Sequence, residues 1–320
     1  MYFSKNNNFY HGIMFHHFHD KKKHKKSQGS ISKDEFYKII KFVGRKNILN
    51  AKDFLLRYKE NKLKPNHLCL TFDDAIKCQY DIALPLLEDL KIKSFFFIYS
   101  SLFENKPDLL EVYRYFRTNY FKNLNEFYKF FFKICDKDLK QFYIKENKKI
   151  KSIKSKFPFY SMNDIKFRLI RDRLLSKEDY EKIMLKMFNA KNFEPKKYFN
   201  LLFLKKKDLF NINKLGHSVG LHSHNHPTLF ENLEYKDQLS QYKNNQKILS
   251  KILKCNKNNI KSMSHPNGSY NVDTFKVLKE LGIELGFKQI MNIDRNMKKI
   301  NNSKYEIARQ DHAHILRMMK

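Results

Sequence analysis

Apolar residues gather in five short runs rich in β-branched or aromatic side chains, at residues 12–18, 67–72, 94–99, 218–222 and 260–264. Runs this short and this continuous predict buried strands. Between them the apolar spacing lengthens to three and four. After Thr71-Phe72-Asp73-Asp74, the positions Ile82, Leu86, Leu87 and Leu90 mark one face of a helix that ends before the next run. Strands alternating with helices imply parallel βα units and an α/β fold.

Residues 100–207 break this rhythm. They are Phe-rich and Lys-rich amphipathic segments with no glycine and almost no strand signal, which predicts a helical insertion. Such an insertion serves either as a lid or buttress on the fold that carries it, or in substrate recognition or oligomerisation. The whole of 1–320 reads as one elaborated domain with 100–207 inserted in it. No period repeats, which excludes a solenoid.

Composition narrows the class. A hydrophobic share of 42% with 30 Phe and 18 Tyr supplies a large core and excludes a disordered chain. The net charge of +31 invites an anionic partner. However, Lys, Asn, Ile, Phe and Tyr are all plentiful beside 8 Gly, 7 Pro and no Trp, the bias of an AT-rich coding sequence. With no zinc-finger, RNP or KH signature, no specific nucleic-acid partner is expected, although the charge is compatible with peripheral attachment to a membrane. The basic run at 21–26 reads as a solvated loop. Cys69, Cys78, Cys135 and Cys255 form no Cys-x-x-Cys pair and read as reduced thiols, mostly buried. No leader-like segment and no stretch of about 18 apolar residues stands out, so the default expectation is a cytoplasmic location.

Two clusters carry chemistry. The run Leu68-Cys69-Leu70-Thr71-Phe72 ends in the adjacent carboxylates Asp73 and Asp74. In parallel α/β folds the ligand site lies at the carboxyl ends of the strands. Adjacent residues at a strand end point different ways, so one carboxylate is placed to bind a metal while the other stays free as a base. Helix capping is the bland alternative for the pair. The second cluster is His222-Ser223-His224-Asn225-His226-Pro227, again after an apolar run. Two imidazoles and one carboxylate with an open position form a known catalytic zinc arrangement. His224, between the outer two, is left open as a ligand orienter, a substrate contact or a surface residue.

TFDD, then HSHNHP, then SHPNGSYN at 264–271, in this order and at these separations, resembles the polysaccharide deacetylase family, also called the NodB-homology family or carbohydrate esterase family four. The resemblance implies a distorted (β/α) barrel of fewer than eight regular strands. It makes Asp73 the general base, and Asp74, His222 and His226 the ligands of a divalent metal. Zinc is the first expectation, and cobalt, nickel and manganese fit the same ligands. Ser223 becomes the hydroxyl supporting the histidine loop, Pro227 a stiffener of its turn, and Pro266 and Gly268 groove-lining residues, with Asn267 beside them to bond a sugar.

The chain also departs from the family. Many members carry an arginine where Ser264 stands, and that arginine holds the base; His265 and Arg309 are the candidates to replace its charge. The family's C-terminal histidine acid has no clean match, which leaves His312 as the assigned acid, with His314 the other candidate. Arg309 and Asp311 resemble an Arg-x-Asp that orients active-site groups in bacterial relatives. His16 and His17, which alternation sends to opposite faces of the first strand, are assigned structural roles.

The implied activity is hydrolysis of an acyl group, by default N-acetyl, from a sugar or glycan, including nucleotide-linked or lipid-linked intermediates of surface-polysaccharide assembly. A non-catalytic glycan-binding protein on the same fold is the alternative.

Overall fold

The computed structural model describes residues 2–3, 9–156, 161–291 and 300–320. Seven strands, β1 (His11–Phe15), β2 (Leu68–Phe72), β3 (Phe95–Ile98), β4 (Ser218–Leu221), β5 (Ser262–Ser264), β6 (Leu285–Phe287) and β7 (Arg309–Asp311), form one sheet in the order β6-β5-β4-β3-β2-β1-β7. Every pairing is parallel. A parallel bridge from Phe287 to Ile307, just before β7, brings the two edges together. The result is a nearly closed (β/α) barrel. The five expected strands are present, slightly shortened, while β6 and β7 carry too few apolar residues to show as runs.

Alternation along the strands sorts two apolar layers. Cys69, Phe95, Phe97, Leu285, Phe287 and Ile307 fill the inside together with Phe54 and Ala51, from the helix Ala51–Lys59. Phe15, Phe72 and Phe96 lie on the opposite face; Phe72 stacks on Phe96 at 4.7 Å and on Phe15 at 5.4 Å. Cys69, Thr71 and Asp73 share a parity, as do Gly12, Met14 and His16. The register sets Gly12 beside Cys69 and Met14 beside Thr71, so the same progression carries His16 toward Asp73 at the carboxyl end of the strands. The helix expected after TFDD begins as a π-helical turn, Gln79–Ala83, and continues as Leu84–Asp89. Ile82, Leu86 and Leu87 are buried on its inner face.

The chain divides into two compact units, residues 1–108 with 200–320, and residues 109–199. The second unit lies within the stretch 100–207 and is helical. Its helices Leu124–Ile134, Leu139–Lys145, Met162–Leu169 and Lys177–Ala190 start on Asn123, Asp138, Ser161 and Ser176, whose side chains accept from backbone N–H groups of the first turn. Its core is aromatic: Phe131 against Phe167 at 4.9 Å, Phe116 against Phe188 at 4.8 Å and Phe188 against Phe193 at 4.7 Å. Among the described residues, no helix is long and apolar enough to cross a membrane. Cys69, Cys78 and Cys135 are buried, Cys255 is half-buried, and all four are free thiols.

Candidate metal centre

β2 and β4 flank β3 and end on the same side of the sheet, where they deliver the two chemical clusters to one cleft. Asp74 Oδ1 lies 3.2 Å from His222 Nε2 and 3.3 Å from His226 Nε2. Ligand atoms of the three residues all fall within 4.8 Å of one another. Asp74, Ser223 and His226 all adopt left-handed backbone conformations (φ 75°, 64° and 54°). Non-glycine residues take these at a cost that surrounding structure must overcome, and such positions concentrate at functional sites.

Hydrogen bonds fix both rings. His222 Nδ1 donates to the Ser264 carbonyl (2.8 Å) and His226 Nδ1 to Asp108 Oδ2 (2.7 Å). Because those partners only accept, each Nδ1 carries the proton, and a neutral ring turns a bare Nε2 toward Asp74. Two lone pairs and a carboxylate then face one another, which is unfavourable unless positive charge sits among them. Burial opposes ionisation of Asp74, but where positive charge does sit there, as protons on His222, His226 and His16, it holds the Asp74 pKa well below the usual carboxylate range. Burial likewise opposes a charge on His226, but Asp108 and Asp74 raise its pKa. The cleft thus attracts a cation, and two imidazoles with one carboxylate fit a borderline divalent metal. A small cleft of about 40 Å³ opens here, room enough for a water or a small ion.

Asp73 lines the same cleft but is held by other partners. It is 2% exposed, and Arg309, 1% exposed, reaches it from β7 with Nη1 at 2.8 Å. Ser264 Oγ donates to its other oxygen at 3.2 Å. Burial works against the charge on Asp73, but the Arg309 guanidinium, with His222 and His16, keeps its pKa below the ordinary value. Arg309 is steadied through Nε by the Lys288 carbonyl at 3.0 Å. Its stem crosses Gly12 so closely that a β-carbon there would sit 3.0 Å from Arg309 Cγ. Arg309 therefore supplies the charge that Ser264 lacks. His265 does not: burial pushes its pKa down to about 3, and its Nε2 donates to the Tyr305 carbonyl.

The remaining site residues separate clearly. Ser223 Oγ accepts from His226 N–H at 3.1 Å. His224 turns from the cleft to Ser100 Oγ (2.9 Å), while its carbonyl accepts from Ser100 and Ser101 N–H, so it anchors the loop. Asn267, in a left-handed conformation, and Gly268 line the cleft with Gln289. Pro266 is buried at the start of its 3₁₀ turn and shapes that turn without lining the cleft.

His312 is not brought to the cleft. Its nitrogens engage the carbonyls of Met14 (3.2 Å) and Gly29 (3.0 Å), and its ring stacks on Phe15 outside the barrel. It therefore cannot serve as the acid. Asp311 caps the following helix by accepting from Ala313 N–H, and His314 is exposed on that helix. Besides His222, His226 and the tied His265, the cleft is lined by His16, with Nε2 3.8 Å from Asp74 Oδ2, a correction to its structural assignment. Gln79, fully buried, donates to the carbonyls of both His16 and Asp73 and holds them together. The alternation Gly12, Met14, His16, read with the Cys69, Thr71, Asp73 series, was the available signal for His16.

The sequence matches the family described as Polysaccharide deacetylase over residues 60–120 and 181–286, more than half of the chain. No curated protein matches it. Solved structures share the fold at low identity. A Streptococcus pyogenes deacetylase, PplD, solved in complex with acetate, is 15% identical with a TM-score of 0.55, over 97% of each chain. A de-N-acetylase from Aggregatibacter actinomycetemcomitans is 12% identical with a TM-score of 0.55, over 97% of this chain and 99% of that one. The BpsB deacetylase domain from Bordetella bronchiseptica is 13% identical with a TM-score of 0.52, over 96% of each.

Proposed function

The chain belongs to the polysaccharide deacetylase family, and from that premise we propose that it is a metal-dependent hydrolase removing N-acetyl groups from a glycan. The observation that carries this reading is the pairing of a cation-attracting Asp74, His222, His226 trio with a separately held base, Asp73. Asp74, His222 and His226 would hold the ion, with zinc the first choice. The chemistry such an ion supplies is Lewis-acid activation of water and of the acyl carbonyl.

The chain's own residues carry the proton transfers. Asp73, kept anionic by Arg309 and aimed by Ser264, takes a proton from the water that adds to the acyl carbon. His16, which is partly exposed in the cleft, holds the proton that passes to the leaving nitrogen as the carbon–nitrogen bond breaks. Acetate and a free amine result. Solvent then removes the proton from Asp73 and restores the one on His16. Asn267 and Gln289, which line the cleft, would bond sugar hydroxyls. Ser264 in place of the family arginine would favour a non-catalytic glycan binder on the same fold; Arg309 bonded to Asp73 supports the catalytic reading instead.

The direct test is acetate release from N-acetylated oligosaccharides by chelator-treated protein reloaded with zinc. Metal-dependent release is expected, and none with any divalent metal on any acetylated glycan would refute the reading. The acid is tested separately. His16→Asn should lower kcat on the amide about 10²- to 10⁴-fold, the usual worth of a positioned acid, yet lower it little on an aryl acetate, whose leaving group needs no proton. Equal losses on both substrates would remove His16 from that role.

A further inference from the structure

The two imidazoles facing Asp74 are not supported alike. Behind His222 stands a neutral acceptor, the Ser264 carbonyl at 2.8 Å. Behind His226 stands a carboxylate, Asp108 Oδ2 at 2.7 Å. Asp108 is itself held in place: its backbone N–H donates to the Tyr99 hydroxyl at 3.2 Å, and the buried Tyr99 ring packs 5.5 Å from His226. The same loop clamps the histidine segment through its backbone, since Ser100 and Ser101 N–H both donate to the His224 carbonyl.

An anionic acceptor on one ring nitrogen makes the other a stronger donor to a cation, and it fixes tautomer and ring plane together. A carbonyl acceptor fixes the plane but adds little electron density. We propose that Asp108 is a positioning residue that sets the affinity of this site for its divalent cation, by orienting His226 and strengthening it as a ligand. The inference rests on the reading of Asp74, His222 and His226 as a cation site. It also gives a role to the residue immediately before Leu109, where the helical unit begins; neither carboxylate motif nor histidine spacing marks it in the sequence.

The test is zinc affinity, measured by competition with a chromogenic chelator on metal-free protein, for wild type, Asp108→Ala and Asp108→Asn. The metal-free melting temperature of each is recorded alongside, and titrations are run well below it. Asp108→Ala is expected to bind zinc at least tenfold more weakly, in the range of about 10- to 100-fold seen when such partners are removed. Asp108→Asn, which still accepts from Nδ1 but carries no charge, is expected to fall between. A merely structural role would lower the melting temperature and leave the affinity of the folded protein unchanged. An Asp108→Ala loss smaller than tenfold overturns the proposal; should that variant not fold, a loss under threefold in Asp108→Asn does so. A wild type that takes up no cation overturns the site itself and this inference with it. Variants that bind as well as a zinc-binding wild type overturn only the assignment of Asp108.

Discussion

On the proposed function, exchange of His222 for alanine is expected to abolish zinc uptake and to lower deacetylation by at least ~10³-fold, since a Lewis acid at the acyl carbonyl contributes several kcal/mol to the transition state. The geometry explains why so little should survive. His222 Nε2 and His226 Nε2 face the same Asp74 oxygen, so losing one imidazole leaves two ligands, too few to retain zinc in competition with a chelator. His222 is nearly fully buried and bonds Ser264, so His222→Gln, closer in volume, should accompany it to separate loss of metal from loss of fold. Elemental analysis of both purified variants, paired with acetate release, reads the result. A variant with stoichiometric zinc and wild-type turnover would show that the trio is not the metal site.

The second large effect is expected at Arg309. Arg309→Met keeps the aliphatic stem that packs over Gly12 but leaves Asp73 a buried charge without its partner. Breaking a buried pair from one side costs about 3–5 kcal/mol, or on the order of 10 °C in melting temperature for a domain of this size. Turnover should fall as well, because the base loses both orientation and the charge that keeps it ionised. The double variant Arg309→Met, Asp73→Asn is expected to recover part of the stability and none of the activity, since no carboxylate is then stranded. Arg309→Lys should lie between, because an ammonium has no planar fork with which to reach both Asp73 and the Lys288 carbonyl. Wild-type melting and turnover in Arg309→Met would mean that the pair contributes neither stability nor catalysis.

The parts legible in the sequence were those with local signatures. Five buried strands showed as apolar runs, and the helical character expected for 100–207 showed in its spacing and lack of glycine. Asp73, Asp74, His222 and His226 stood out because adjacent carboxylates and closely spaced histidines at strand ends are chemically conspicuous. The parts that were not legible depend on contacts between distant segments. β7 reads Arg-Gln-Asp, with no apolar residue, and exists because β1 offers a parallel edge. Arg309 could be listed as a substitute for the arginine missing at Ser264, but its choice over His265 needed the fold: one side chain reaches Asp73, and the other is buried, neutral and tied to Tyr305. His312 shows the opposite error. A histidine near the C-terminal end resembled an acid by position, yet its place beside Phe15 makes it a packing residue.

The strand that supplies Arg309 is the last of the seven in chain order, and it docks beside the first. During synthesis, β1 to β6 with Asp74, His222 and His226 leave the ribosome before the arginine does. Until it arrives, Asp73 would have to be buried as a lone charge, which disfavours closure of the barrel on an incomplete chain. Because β7 both pairs with β1 and carries the partner of Asp73, closure of the barrel and completion of the candidate site are expected to coincide.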